Sequence, residues 1–222
     1  IEVEEAEAGD IVAFAGIAEP KISDTLCDPL HVEPLPPLTV DEPTISMTFE
    51  VNTSPFFGRE GRFVTSRQLK ERLEREAIHN VALRVESTAD PDKFVVFGRG
   101  ELHLGVLLEN MRREGYEMAV SRPHVVIKEI DGRPHEPMEQ LTVDVEADAQ
   151  GAVMTALGER GASLTHMQPD GRGRIRLDYM IPSRGLIGFQ TDFRTLTSVA
   201  GLLYHVFDYF GPVLDRDLAQ RT

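Results

Sequence analysis

The sequence carries one ten-residue pattern twice, 94 positions apart. Both copies, EPTISMTFEV (Glu42 to Val51) and EPMEQLTVDV (Glu136 to Val145), open with Glu-Pro, place a threonine six residues after the glutamate, and end on an acid and a valine. RGEL at Arg99 to Leu102 has a weaker echo in RGLI at Arg184 to Ile187. Self-similarity of this kind indicates two related folding units in tandem rather than one large domain.

Each unit shows the same order of predicted elements. In the second, LTVDVEA (Leu141 to Ala147) alternates apolar and polar residues, as a strand with one buried face does. A helix ending near Gly161, a hairpin across DGRG, a helix RGLIGFQTDFRTL capped by Ser183 and a strand LLYHVFDYF are expected to follow. The first unit matches, with strands at 44–52, 82–88, 93–98 and 116–121 and helices opening at the capping box Thr65 to Gln68 and at 101–114. The order βαββαβ predicts an α+β protein with two tandem ferredoxin-like domains.

A proline-rich stretch, LHVEPLPPLTVDEP, separates these units from the start of the chain. Prolines at 34, 36, 37 and 43 lack a backbone donor, so the stretch is expected to run extended as a linker. Before it, AGDIVAFAGI and KISDTLC are predicted as two short strands, too few to bury an apolar face alone. We therefore expect residues 1–37 to be the last strands of a β-domain whose earlier strands are missing, with its linker, followed by domains at 38–128 and 129–222.

Charge is unevenly distributed along the chain. The net charge is −14, yet residues 1–50 hold 12 acids against the single base Lys21, so the remaining 172 residues are nearly neutral. Arginines cluster there twice, at 59–75 and at 172–184. Because phosphate binding depends on Lys and Arg, both segments are candidate RNA-binding surfaces, with a solvated face as the alternative for each.

Several function classes are disfavoured by what the sequence lacks. One cysteine, Cys27, allows no internal disulfide, and no apolar run reaches the length of a spanning helix, so we expect a cytoplasmic protein without a membrane partner. The seven histidines form no HxxxH or HExxH pair and no GxSxG occurs, which argues against a metal site and against catalysis. VVFGRGELHLG predicts a strand, a glycine turn and a helix, but His103 stands where a dinucleotide fingerprint needs glycine, and no GxxxxGK[ST] occurs. We expect no enzyme activity, cofactor or metal on this chain.

Long motifs in the chain resemble the elongation factor G superfamily. FGRGELHLGVLLENMRREGYEM is similar to the third domain of those factors, EPMEQLTVDVEA to their fifth, and AGDIVAFAGIAEPKISDTLCDP to the close of their second, a β-barrel. Within the superfamily, NTSPFFGREGRFVTSRQLKERLEREAIHNVALRVE and PSRGLIGFQTDFRTLTS resemble the TypA/BipA family. The chain departs from that family at SVAGLL (Ser198 to Leu203), where a second glycine is usual near Val199.

The resemblance implies a ribosome-associated GTPase that acts in translation, ribosome assembly or the stress response. GTP and Mg²⁺ would then belong to a GTPase domain outside these residues, and the family's own C-terminal domain would also lie outside them. The chain is expected to dock on ribosomal RNA and ribosomal proteins and to transmit the nucleotide state of that GTPase domain. DNA is not an expected partner.

The first candidate RNA contact is the insertion SPFFGREGRF, which the second unit lacks. Its three phenylalanines interleave with Arg59 and Arg62, a combination suited to stacking on bases and pairing with phosphates. The alternative is that the rings fold back to cover the sheet.

The second candidate is PSRGLIG with the hairpin beside it. If Ser183 caps the helix, free N–H groups point outward beside Arg184, and Gly185 leaves room for a phosphate. The hairpin adds Arg172, Arg174 and Arg176. The alternative is a serine that merely caps a surface helix beside solvated arginines.

A different function class also fits the tandem order. ALGERGASLTHMQPDG has the helix, glycine and strand turn with which paired regulatory domains hold an amino acid. A tandem ferredoxin-like module that binds a small molecule is therefore the alternative to ribosome docking. A concave pocket between the two domains would favour it, whereas arginines projecting from loops would favour docking.

Overall fold

The computed structural model describes residues 3, 5–17, 22–38 and 42–215. The chain divides into two compact units, Ile1–Thr39 and Val40–Thr222. In the described part of the first unit there is no helix or strand, only an isolated bridge between Asp28 and His31. The short strands expected at 8–17 and 21–27 are thus not formed there, and Lys21 lies outside the described residues. Ile11 and Phe14 remain exposed, because too few strands are present to build a covering sheet.

The second unit contains two antiparallel sheets with their helices. Its described elements are β1 (Ile45–Val51), α1 (Ser66–His79), β2 (Arg84–Ser87), β3 (Lys93–Gly98), α2 (Glu101–Glu114), β4 (Met118–Val120), β5 (His124–Val125), β6 (Lys128–Ile130), β7 (Arg133–Glu146), α3 (Gln150–Glu159), β8 (Ser163–Pro169), β9 (Arg174–Pro182), α4 (Ser183–Leu186), α5 (Phe189–Leu196) and β10 (Leu202–Pro212).

Both sheets have the same strand order. The first runs β2-β3-β1-β4, with β5 also pairing with β1, and the second runs β10-β7-β9-β8, with β6 pairing with β7. If the main strands of each repeat are counted in chain order, both sheets read 4-1-3-2. The predicted α+β class and the βαββαβ order of both units are confirmed.

The first sheet packs one face of β1 and β3 against α1 and α2. Ile45, Met47 and Phe49 alternate along β1 toward this core, because successive strand residues point to opposite faces. The capping box that opens α1 is present: the Thr65 hydroxyl accepts the Gln68 N–H, and the Gln68 side chain accepts the Thr65 N–H.

The second sheet repeats this arrangement with a different set of side chains. Leu141, Val143 and Val145 on β7 are fully buried, as the alternation in LTVDVEA predicts. They pack with Leu177 and Ile181 of β9 and with apolar residues of α3 and α5.

The helix predicted over RGLIGFQTDFRTL is two short helices, α4 and α5. Gly188 interrupts them with φ of 71°, a left-handed conformation that glycine adopts without a steric penalty. Arg160, which is 5% exposed, stabilises the break: its Nη1 donates to the carbonyls of Gly185 and Ile187 at 2.9 and 3.1 Å, and its Nη2 to Asp192 at 2.7 Å. Arg160 thus satisfies backbone carbonyls at the break. Because this arginine is distant in sequence, no local pattern predicts the break.

Candidate nucleic-acid interface

The loop between β1 and α1 carries SPFFGREGRF and is held by one carboxylate. Glu117 Oε1 accepts the Gly58 N–H at 2.9 Å, and its Oε2 accepts the N–H groups of Glu60 and Gly61 at 3.2 and 3.0 Å. The side chain of Asn52 donates to Oε1 at 2.7 Å. Bonds from Gly61 and then Gly58 lower the pKa of the Glu117 carboxyl to about 2. The loop therefore has a fixed shape at neutral pH, set by an acid that the sequence analysis did not single out.

Two of the three rings in this loop point to solvent. Phe56 is 64% exposed and Phe57 is 49% exposed. Phe63 is partly buried and packs on Tyr116, with 4.8 Å between ring centroids. The alternative, that the aromatics cover the sheet, holds for Phe63 alone.

The arginines of the loop stand beside the rings rather than beside acids. The Arg59 guanidinium lies 5.2 Å from the centroid of Phe56, and that of Arg62 lies 5.9 Å from the centroid of Phe63. Neither forms an ion pair with a carboxylate among the described residues. Both guanidinium groups therefore keep their charge for a partner outside the loop, and their role in RNA binding stays a prediction.

The PSRGLIG segment differs from its predicted geometry. Ser183 is the first residue of α4, not its cap; Pro182 holds the cap position without a side-chain bond. The Ser183 hydroxyl is buried and donates to Glu139 Oε1 at 2.5 Å. Gly185 is also buried, and a Cβ there would collide with the carbonyl oxygen of Arg160. A four-residue helix whose serine and glycine face the interior cannot present the anion site that we expected.

Arg184 is held by a buried acid. Its Nε donates to Glu136 Oε2 at 2.6 Å, and its Nη2 donates to the carbonyl of Leu214 at 2.6 Å. The side chain of Glu136 is fully buried and that of Arg184 is 17% exposed. This arginine neutralises a buried carboxylate, so the expectation that it grips a phosphate loses its geometric basis.

The three arginines of the hairpin differ in whether they have a carboxylate partner. Arg174 donates to Asp144 Oδ1 at 2.6 Å, and Arg176 donates to Asp178 Oδ1 at 3.1 Å. Arg172 is exposed at the turn and forms no ion pair within the described residues. Of the predicted arginines, Arg59, Arg62 and Arg172 thus remain available to an external anion, whereas Arg174, Arg176 and Arg184 have internal partners.

A cleft of about 320 Å³ lies where α2, the α4–α5 break and β10 meet. Glu139 contacts two polar side chains of the cleft. It accepts a hydrogen bond from the Ser183 hydroxyl, and it pairs with His205 Nδ1 at 2.5 Å. The bond to Glu139 raises the pKa of the His205 imidazole. Glu101 at the start of α2 accepts the Gly188 N–H at 3.0 Å, which links the two ferredoxin-like units. Sequence reasoning missed the residues of this cleft because they come from five segments that are distant in sequence.

The part of the chain that the structure describes contains neither a metal-binding cluster nor a membrane-spanning helix. In that part of the chain, no three His, Cys, Asp or Glu side chains are grouped so that they could hold a metal ion. No described helix combines the length and apolar character needed to cross a membrane.

Comparison with known proteins gives matches along the whole chain. The family described as Elongation factor G C-terminus matches residues 133–221, which include strands β7 to β10 and helices α3 to α5. The chain is 62% identical to the large ribosomal subunit assembly factor BipA of Escherichia coli K12 over 221 residues, or 100% of the chain. It is also similar to the proteins of that name from Salmonella typhimurium, at 62% over 97% of the chain, and from Buchnera aphidicola, at 50% over 100% of it. In each case the match spans only 36% of the relative's own length.

Proposed function

Because this chain belongs to the TypA/BipA family of the elongation factor G superfamily, we propose that it is the ribosome-docking and signal-transmitting part of a cytoplasmic, ribosome-associated GTPase. One observation carries the proposal: identity of 62% with large ribosomal subunit assembly factors extends over all of the chain. The partners would be ribosomal RNA, ribosomal proteins and a GTPase domain outside these residues. The physiological step would be assembly of the large subunit, which is the role stated in the names of the relatives.

In this proposal the chain does no nucleotide chemistry. The sequence contains no GxxxxGK[ST] loop to hold the β- and γ-phosphates, so GTP and Mg²⁺ would bind in the GTPase domain. Purified chain should give no GTP hydrolysis under single-turnover conditions. Measurable hydrolysis that co-purifies with the chain would contradict the assignment.

Docking on the ribosome is tested by co-sedimentation of the chain with purified large subunits at several salt concentrations. The slope of log K against log salt is negative, and each phosphate contact that is lost should reduce its magnitude by about 0.7 to 0.9. The Arg59→Ala, Arg62→Ala double variant should show this reduction. Arg133→Ala, Arg194→Ala is the matched control, since both of these arginines are exposed, lie outside the two arginine clusters and lack an ion pair within the described residues. Failure of the unsubstituted chain to sediment with subunits at low salt would refute docking.

The second candidate function is a regulatory module that binds a small molecule, and the cleft beside Glu139 and His205 favours it. Its polar groups are mostly bonded to one another, which leaves few directed at a ligand. A thermal-shift screen of free amino acids tests it: a rise in Tm that His205→Gln abolishes would support this function. No rise with any amino acid would leave ribosome docking alone.

A further inference from the structure

We propose that Phe56, Phe57 and Arg59 form a stacking platform for an unpaired RNA base. This inference rests on the proposed ribosome docking and names the chemistry of one contact within it. The platform is the tip of the loop between β1 and α1, and its occupant is a single-stranded or looped-out nucleotide rather than a duplex.

The two exposed rings of this loop carry a free-energy cost. Burial of a phenylalanine side chain contributes about 1.5 to 3 kcal/mol, and the same loop does bury part of Phe63 against Tyr116. Phe56 and Phe57 are only a few residues away but stay exposed on a backbone that Glu117 holds in place. A loop that is fixed with two adjacent rings facing outward is preorganised for a flat apolar partner.

The charge beside the exposed rings suits a nucleotide. Arg59 lies over the Phe56 ring and has no carboxylate partner within the described residues. A contrasting pair exists in the same sheet, where Arg84 lies 4.2 Å from the centroid of Phe97 but also pairs with Glu86 at 3.1 Å. The Arg84 charge is neutralised internally, and that of Arg59 is not. An aromatic surface with an open guanidinium beside it complements a base joined to its phosphate.

The exposed rings favour single-stranded RNA over a duplex. In a duplex the faces of the bases are buried within the base stack, so exposed rings can stack only on unpaired bases. A duplex backbone would need several arginines in a row, and this chain, with a net charge of −14, supplies only short runs. Stacking accepts any base, so the platform would contribute affinity without reading sequence.

The test uses the absence of tryptophan from the chain. The Phe57→Trp variant places one fluorophore on the platform, and Phe97→Trp places one beside the neutralised Arg84. A single-stranded oligoadenylate of about ten nucleotides should quench the emission of Phe57→Trp, whereas a blunt RNA duplex with equal phosphates should not. Phe97→Trp should respond to neither probe.

A second substitution measures the contribution of the neighbouring ring. Phe56→Ala in the Phe57→Trp background should weaken binding of the single strand about 5- to 150-fold, as expected for one lost stacking contact. Ile78→Ala, which removes a similarly exposed apolar side chain from α1, should leave that affinity unchanged. Circular dichroism of each variant checks that the fold is retained.

Three results would overturn the platform: no quenching of Phe57→Trp, equal quenching by the duplex, or an equal response of Phe97→Trp. Co-sedimentation of the unsubstituted chain with large subunits in the same buffer distinguishes failure of the platform from failure of the proposed docking. If the chain sediments but the emission is unchanged, the platform is wrong and docking stands. If the chain does not sediment, the proposed function fails whatever the oligonucleotide does.

Discussion

The loop at 54–63 and the segment at 182–188 both combine arginine with glycine, yet their charges serve different partners. In the segment at 182–188, Arg184 neutralises a fully buried glutamate that is 48 positions away in sequence. In the loop, the nearby acid Glu117 is occupied by backbone N–H groups, and both arginines lie beside aromatic rings. Arg184 thus has an internal carboxylate partner, whereas Arg59 and Arg62 have none among the described residues, so an arginine motif alone does not identify an interface.

The largest effect is expected from a comparison of two variants. One removes an arginine that has an internal ion pair, and the other removes an arginine that has none within the described residues. Arg184→Ala leaves the buried Glu136 carboxylate with an uncompensated charge and should lower the free energy of unfolding by about 3 to 5 kcal/mol. Arg172→Ala, at an exposed turn, should change it by less than about 0.5 kcal/mol. Urea unfolding measures both. Equal, small effects would mean that Arg184 is not part of the core and would restore it as a candidate contact.

A smaller effect is expected at the turn beside Arg174, whose Nη2 donates to the carbonyl of Ala200 at 3.3 Å. Val199 adopts φ of 68°, a left-handed conformation that strains a β-branched residue. Val199→Gly should raise the free energy of unfolding by about 1 kcal/mol, since relief of strain exceeds the entropy cost of glycine. A Tm below that of the unsubstituted chain would show that the strain is absent. Ala200→Gly, next to it, is the control and should destabilise slightly.

The ion pair in the cleft makes a pH-dependent contribution. Glu139 raises the pKa of His205 in the folded chain, so the stabilisation is fully present below the ordinary pKa of histidine and is lost as pH rises through the raised value. Because the imidazole is 40% exposed, the contribution should be at most about 1 kcal/mol. Unfolding curves between mildly acidic and mildly alkaline pH measure it. His205→Gln should flatten that dependence; an unchanged pH profile would exclude the pair as its source.

The smallest effect on global stability should come from the loop clamp. Glu117→Gln removes the charge that the Gly58, Glu60 and Gly61 N–H groups bind, so trypsin should cut after Arg59 and Arg62 faster while Tm hardly changes. In the unsubstituted chain the folded pKa of Glu117 is depressed, so the clamp is complete above the ordinary pKa of glutamate and is lost only as pH falls through about 2. Glu60→Gln, which keeps the backbone donor, is the matched control. Equal cleavage rates in both variants would mean that Glu117 does not order the loop.

The fold could be predicted further than the site because the two rest on different kinds of signal. The alternation in LTVDVEA and the Thr65 to Gln68 capping box are local, and both appear in the structure as expected. The break at Gly188 depends on Arg160, which lies 28 positions earlier, so a continuous helical pattern concealed it.

Prediction of the candidate site was limited in the same way, because the carboxylate partners of its arginines are distant in sequence. Arginine in a loop signals a possible RNA contact, but the carboxylates that occupy Arg174 and Arg184 are 30 and 48 positions away. The pairing of strands β7 and β9 places Asp144 opposite Arg176 and within diagonal reach of Arg174, and no pattern within either strand predicts that contact. For Arg59 and Arg62, the sequence correctly placed rings and charges together, since both occur within one short loop.

The Glu117 cradle also bears on how the loop would respond to its surroundings. Successive backbone N–H groups around one carboxylate form the kind of nest that binds phosphate in other proteins, and here the chain supplies its own anion. A tethered ligand competes at a high effective concentration, so dissolved phosphate or sulfate at ordinary concentrations will not displace it. We therefore expect the loop to keep its conformation when the salt concentration changes, so that within this loop salt acts on the outward arginines.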